Sequence, residues 1–367
     1  MRDGRVVRFV GASAFFLQEQ ASRELLGDAS ASGHVARAFD AAQRAGVTVL
    51  RVAAFHESES NPAAILRGVG VYVPAGLAGL DRVVSEAGSR RIGLVLVLSN
   101  YWDDYGGVAQ WLRWHAQPAD DRSPFFTTPA LAQAFEAYAV AIVSRRNALT
   151  GVRYADDPTI VGWEVMNEPR AEGAGGRGED VVRFVGHAAR AIHAVAPRQL
   201  VFAGDEGFDA DVAPYDRAYW ERVAPGRVIG PPRLELFGQL VREPGIDVAT
   251  IHWYPRAWGI ARDEEIPAGV RWIEEHARIA AAAGRPLVVE EFGLPNDGSR
   301  AAAYESWFAR ADAEPAIAGV MPWGFTYVGR PGSADGFEWS DPDDPARFAA
   351  WSRTWSGAPR SIERCGR

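Results

Sequence analysis

The chain has 367 residues and a formal net charge of −8, with 47% hydrophobic and 23% charged residues. That length supports a large core, and the acidic balance argues against a nucleic-acid backbone or an anionic membrane surface as partner. All 39 basic residues are Arg, which excludes Schiff-base, pyridoxal-phosphate and Walker-type phosphate chemistry, because each needs a Lys.

Read in chain order, short apolar runs alternate with helical patterns. Val6–Phe16 is the first β-rich run. His34–Ala45 follows with Val35, Phe39 and Ala42 on one helical face, closed by Gly46, and Val47–Ala53 reads as a strand. Leu77, Leu80, Val83, Val84 and Ala87 form the next helical stripe, before the apolar strand Ile92–Ser99. Then come helix Pro129–Leu149 and strand Ile160–Met166, helix Val181–Val195 and strand Gln199–Ala203, and strand Val248–Trp253. Helix Ile266–Ala283 leads to strand Leu287–Glu291, and helix Arg300–Ala311 to strand Ile317–Trp323; Pro345–Trp355 is a closing helix. Phe55–Ala75 and Trp102–Thr128 read as long loops that shape a cleft.

That is about eight strands, apolar throughout as in a parallel sheet covered on both faces. A closed barrel and an open doubly wound sheet both fit the alternation. Polar and aromatic residues collect just after several strands, at Asn100, Asn167-Glu168, His252, Glu291 and Trp323. Barrel enzymes draw their sites from many strand ends, whereas an open sheet concentrates its site at one switch point. The expectation is therefore an α/β fold, a (β/α)8 TIM barrel forming a single domain over residues 1–367.

Two glutamates follow directly on strongly apolar strands. Glu168 sits in Trp163-Glu164-Val165-Met166-Asn167-Glu168-Pro169, and Glu291 in Val288-Val289-Glu290-Glu291-Phe292-Gly293. Breaking a glycosidic bond needs a proton on the leaving oxygen and a nucleophile or water at the sugar carbon, and two carboxyl groups in different environments supply both. The competing interpretation of each Glu is a structural ion pair with a barrel Arg.

Asn-Glu-Pro after one strand and Glu-Phe-Gly after a later one resemble glycoside hydrolase clan A, and the wider pattern is similar to the β-mannanases of glycoside hydrolase family 5. The resemblance runs through Phe9-Val10-Gly11, Leu50-Arg51-Val52, Asn100 to Gly107, Asp156 to Ile160, Trp163 to Arg170, Gly204 to Phe208 and Ile246 to Pro255. It implies that Glu168 is the general acid/base and Glu291 the nucleophile of a retaining mechanism. It also implies that Arg51 and Tyr254 hold the nucleophile, that Asn167 bonds the sugar 2-hydroxyl and that His252 orients groups near the acid/base. Trp323 becomes the platform under the sugar, with Asn100 and Arg170 as further substrate contacts. Glu290, one residue before the nucleophile, is expected on the opposite side of its strand.

Sugar clefts also use aromatic faces, so Trp102, Trp114 and Trp258 are candidate subsite residues, with Trp253, Tyr327 and Trp339 also at loops or strand ends. Pro322 departs from the family pattern and predicts that the last strand ends or bulges there, displacing Trp323. No cofactor and no metal is expected. Cys365 is the lone cysteine, His187 and His193 do not share a helical face, and Asp341, Asp343 and Asp344 lack the spacing of a calcium loop. Met1–Gln20 shows no secretory leader, so the expected location is cytoplasmic if Met1 is native and secreted if a leader has been removed. The resemblance implies β-mannan or manno-oligosaccharides as substrate, with internal cleavage in an open cleft or terminal cleavage in a blocked one. A non-catalytic carbohydrate-binding barrel is the rival of another class, and the presence of both Glu168 and Glu291 argues against it.

Overall fold

The computed structural model describes residues 7–172, 176–230, 235–327, 329–330, 336–339 and 343–356. Eight strands form its centre: β1 Phe9–Ser13, β2 Val49–Ala53, β3 Gly93–Val97, β4 Ile160–Glu164, β5 Leu200–Phe202, β6 Ala249–Trp253, β7 Leu287–Phe292 and β8 Ile317–Pro322. They are hydrogen-bonded in the order β5-β4-β3-β2-β1-β8-β7-β6, with every paired ladder parallel. The two ends of this sheet meet through a single bridge, Phe202 to Val248, which brings the sheet round into a (β/α)8 barrel. Ten helices of seven or more residues are among those that surround it in the described residues.

Strand alternation divides the side chains into two cores. One set, Leu50, Val52, Leu94, Leu96, Trp163, Val201, Ile251 and Val289, joins the large cluster shared with the helices. The other, Val49, Val95, Phe202, Val248, Val288, Ala318 and Met321, is a separate apolar plug inside the barrel. Each Val, Phe and Met side chain of this plug contributes about 1.5–3 kcal/mol by burial, so the floor of the barrel is a packed solid.

One alternation step beyond this plug, the inward positions turn polar. Arg51 follows Val49, Glu164 follows Gly162, His252 follows Thr250 and Glu290 follows Val288, and all four are fully buried. The fold thus sets a layer of charge directly on a dry apolar base, at the C-terminal ends of the strands. No helix among the described residues is long and apolar enough to cross a membrane.

Most strands fall within one or two residues of the sequence expectation, and β8 ends at Pro322 as its missing N–H predicts. The segment Trp102–Thr128 differs. It is not a plain loop, because Gly107–Trp114 and Ser123–Thr127 are helical. The short helix Leu17–Leu25 after β1 was also not anticipated.

Candidate active site

Arg51 is the hub. Its Nε and Nη2 donate to the two oxygens of Glu164 at 2.6 and 2.5 Å, and Nη2 also donates to Asn167 Oδ1 at 2.6 Å. Nη1 donates to Glu291 Oε1, and the Phe15 ring lies 4.7 Å from the guanidinium. Tyr254 Oη donates to the other oxygen of Glu291 at 2.7 Å. Asn167 is fixed in turn, its Nδ2 donating to Asn100 Oδ1 at 3.0 Å.

Glu168 approaches from the end of β4. Its φ of 51° lies in the left-handed region that side chains with a Cβ seldom adopt. The turn is held because the Glu168 N–H donates to Gly204 O at 2.8 Å. Gly204 makes that approach possible, since a Cβ there would sit 1.9 Å from Met166 O. The Glu168 carboxylate accepts from Trp102 Nε1 and pairs with His252 Nδ1 at 2.6 Å. Arg170 stacks 4.7 Å over the Trp102 ring and makes two bonds to Glu206, at 2.6 and 2.8 Å.

Burial opposes a charge on His252, but Glu291, Glu168 and Glu290 together outweigh it and hold the imidazole well above its usual pKa. Burial pushes Glu168 up, yet the His252 bond and charge, Arg170 and Trp102 prevail and hold it below the usual carboxylate range. Burial and the Glu168 charge push Glu291 up against His252, Arg51 and Tyr254. Both Glu291 oxygens nevertheless accept bonds from Arg51 and Tyr254, so the geometry holds the ionised form. A proton on His252 Nδ1 can pass along the 2.6 Å contact to Glu168 without changing the charge of the pair. One oxygen each from Glu168 and Glu291 and a ring nitrogen of His252 all lie within 4.8 Å of one another. That spacing suits direct attack by a carboxylate better than a water held between two carboxylates.

The structure brings Arg51, Asn100, Trp102, Asn167, Glu168, Arg170, His252, Tyr254 and Glu291 into one network. Trp323 follows β8 directly, half-buried and edge-on at 6.1 Å to Phe15, the ring that also meets the Arg51 guanidinium. Trp114 stands apart. It ends the helix Gly107–Trp114, edge-on to buried Trp111, and its Nε1 donates to Glu59. Trp258 is corrected to a core residue: it packs 4.8 Å from Phe208, 5.3 Å from Trp253 and 5.5 Å from Trp272. Trp253, Tyr327 and Trp339 are likewise buried. Asp344 accepts from Arg300 and Arg347, while Asp341 and Cys365 lie outside the described residues.

Glu290 is the second correction, because it faces the same interior as Glu291. Between β6 and β7 the register jumps from Ile251–Val289 to His252–Glu291, so Glu290 is skipped. Alternation already turns Glu290 inward with Val288, and this bulge turns Glu291 toward the site as well. Glu164 was given no role from sequence. Its signal was there, a charged residue closing an otherwise apolar buried strand.

Glu57 anchors the loop that carries Asn100 and Trp102, accepting from Gly107 N and Trp111 Nε1, both at 3.2 Å. Burial, opposed by those weaker bonds, pushes its carboxyl up to about 8 from an ordinary 4.5. The folded chain therefore keeps a proton that the unfolded chain releases. This contribution is complete below the unfolded value and is lost as pH rises through the folded one. Glu57→Gln keeps an acceptor and a donor but cannot ionise. The amide N–H₂ then faces one of the two donors at a cost that does not vary with pH, so the Tm of the variant relative to wild type should rise by several degrees between about pH 5 and about pH 9. A Tm difference that does not change with pH would contradict this.

A barrel that sets two strand-end glutamates this close, each with its own donors, has the constellation of a retaining glycoside hydrolase. Residues 9–345 match the family described as GH family 5 beta-mannosidase-like, and the chain belongs to that family. Among its relatives, mannan endo-1,4-beta-mannosidase 3 of Oryza sativa subsp. japonica is 34% identical over 300 residues, covering 79% of this chain and 60% of the relative. Mannan endo-1,4-beta-mannosidase 1 of the same plant is 30% identical over 355 residues, covering 92% and 78%. The chain spans only 56% to 61% of the length of several such relatives. The endo-beta-1,4-mannanase from Thermotoga petrophila superposes with a TM-score of 0.87 at 26% identity, covering 99% of this chain and 80% of that one. The endo-1,4-beta-mannanase from Rhizomucor miehei gives 0.82 at 26% identity, covering 98% and 97%.

Proposed function

We propose that this chain is an endo-acting hydrolase of β-1,4-mannosidic bonds that retains configuration. The observation that carries the mechanism is the approach of Glu168 and Glu291 within 4.8 Å, each oriented by separate donors. The naming of its relatives as mannan endo-1,4-beta-mannosidases supports the substrate and the internal mode of cleavage.

In the first step Glu291 attacks the anomeric carbon while Glu168 gives its proton to the departing glycosidic oxygen, leaving a glycosyl ester on Glu291. In the second, Glu168 takes a proton from water, the water oxygen attacks the same carbon, and the Glu291 carboxylate departs. Asn167 and Trp323 are the proposed contacts for the sugar at the cleavage point, with Trp102 and Arg170 on the leaving side. The side chains and one water supply every proton and nucleophile these steps need.

Mannohexaose and p-nitrophenyl β-mannoside, followed by chromatography, test the proposal. Mixed short oligomers from the hexamer with little aryl cleavage are expected. Mannose released first and alone would replace internal with terminal cleavage. Cleavage of a gluco-configured control only would refute the mannan substrate.

A further inference from the structure

The proposed mechanism leaves one buried carboxylate unused. Glu290 is fully buried, and neither of its oxygens has a hydrogen-bond partner. The same is true of His252 Nε2. These atoms face one another, Glu290 Oε2 lying 3.7 Å from His252 Nε2, and Glu290 Oε1 3.6 Å from Arg51 Nε. Arg51 Nε already donates to Glu164 at 2.6 Å, so His252 Nε2 is the donor facing Glu290 that no other acceptor takes. A desolvated carboxylate without a bond is costly, and a 3.7 Å contact is an ion pair that can tighten when substrate closes the site.

We propose that Glu290 is a positioning residue for proton transfer at Glu168, acting through His252. This rests on the two-glutamate mechanism above. His252 lies between two carboxylates, Glu168 on Nδ1 and Glu290 on Nε2. Glu290 keeps the proton on Nε2, so the nitrogen that gains and loses a proton is always Nδ1, the one aimed at Glu168. The doubly protonated ring passes its Nδ1 proton to Glu168, leaving a neutral ring and a neutral acid. Glu168 gives that proton to the leaving oxygen. In the second step Glu168 removes a proton from water and returns it to Nδ1, so the cycle closes with no net proton change. The other groups around the ring are Arg51 from β2, Glu164 from β4, Glu206 after β5, Tyr254 after β6 and Glu291 from β7. None of them is placed on Nε2.

The test compares Glu290→Gln with wild type on two substrates, mannotetraose and 2,4-dinitrophenyl β-mannobioside. The dinitrophenolate leaves without a proton, so only the tetraose needs an acid. For the tetraose, kcat/KM should fall about tenfold and its basic limb should move down by about one pH unit. For the dinitrophenyl glycoside kcat/KM should stay within about twofold. Equal losses on both substrates, or an unmoved basic limb, would overturn the proposal in favour of a merely structural role.

A second measurement does not need Glu290→Gln to fold. In wild-type protein labelled with ¹⁵N-histidine, the resonance absent from His252→Asn should show Nε2 protonated across about pH 5 to 9. A switch to the Nδ1–H tautomer in that range would also overturn the proposal. Should wild type cleave neither mannoside, the substrate assignment fails on its own, and the tautomer still decides the role of Glu290.

Discussion

Glu291→Ala is expected to lower kcat/KM on mannohexaose by about 10⁴-fold or more, and Glu168→Ala by a comparable factor on the same substrate. The two variants should part when azide is added to a dinitrophenyl mannobioside. In Glu168→Ala, Glu291 still forms the glycosyl ester, because a good leaving group needs no acid. Azide then enters the space left by the Glu168 carboxylate and attacks from the side the leaving group occupied, giving the β-azide. In Glu291→Ala no ester forms, and azide takes the place of the nucleophile on the opposite face, giving the α-azide. The surroundings support the proposed assignment. Glu291 is held by Arg51 and Tyr254, which favour a carboxylate, whereas Glu168 meets His252, with which it can exchange a proton over 2.6 Å. An α-azide from Glu168→Ala and a β-azide from Glu291→Ala would exchange the two roles. No azide product from either would leave the double displacement without support.

The residues of this site were legible in the sequence to different depths, for physical reasons. Strand-end placement was visible because apolar runs such as Gly93–Val97 end abruptly in polar residues, and burial on both faces demands such runs. Arg51, Asn167, Glu168, His252, Tyr254 and Glu291 were marked by that placement together with the family resemblance. That Glu290 and Glu291 face the same interior was not legible. Alternation predicts opposite faces for neighbouring residues, and the bulge that defeats it is a matter of register between β6 and β7, which no local pattern encodes. Trp258 failed for another reason. A large aromatic after a strand suits a sugar platform and a packing wedge equally, and only the positions of Phe208, Trp253 and Trp272 decide between them. The helix Gly107–Trp114 was hidden by the Gly pair at its start and by its length of 8 residues, too short for periodicity to stand out. The Glu57 anchor was unreadable too, since it depends on two loops meeting.

Arg51→Met is expected to cause the largest loss of stability of any single change in the site. Arg51 is fully buried and its guanidinium faces Glu164, Glu290 and Glu291, all fully or almost fully buried. Those carboxylates outweigh the burial penalty on Arg51 and raise its pKa still further, so the cation stays at every accessible pH. Methionine of similar length removes the charge and leaves carboxyl groups facing one another in a dry cavity, at a cost of roughly 3–5 kcal/mol near neutral pH. The pH dependence follows from proton linkage. Burial already raises Glu164, to about 8, and Glu291 while Arg51 opposes the rise, so loss of Arg51 raises both further and the folded variant keeps, to still higher pH, protons that the unfolded chain releases. The variant should therefore be most stable in acid and lose stability, relative to wild type, as pH rises through neutrality and above it. Arg51→Met with Glu164→Met replaces the ion pair by two apolar side chains of similar size and should recover most of the lost stability. Activity should stay low, because Glu291 and Asn167 both lose a donor that Arg51 supplied. Urea unfolding of the single and double variants at acid and neutral pH, with mannohexaose turnover alongside, separates the two roles. A single variant as stable as wild type at neutral pH, or a double variant no more stable than the single, would show that Arg51 does not hold this layer of charge together.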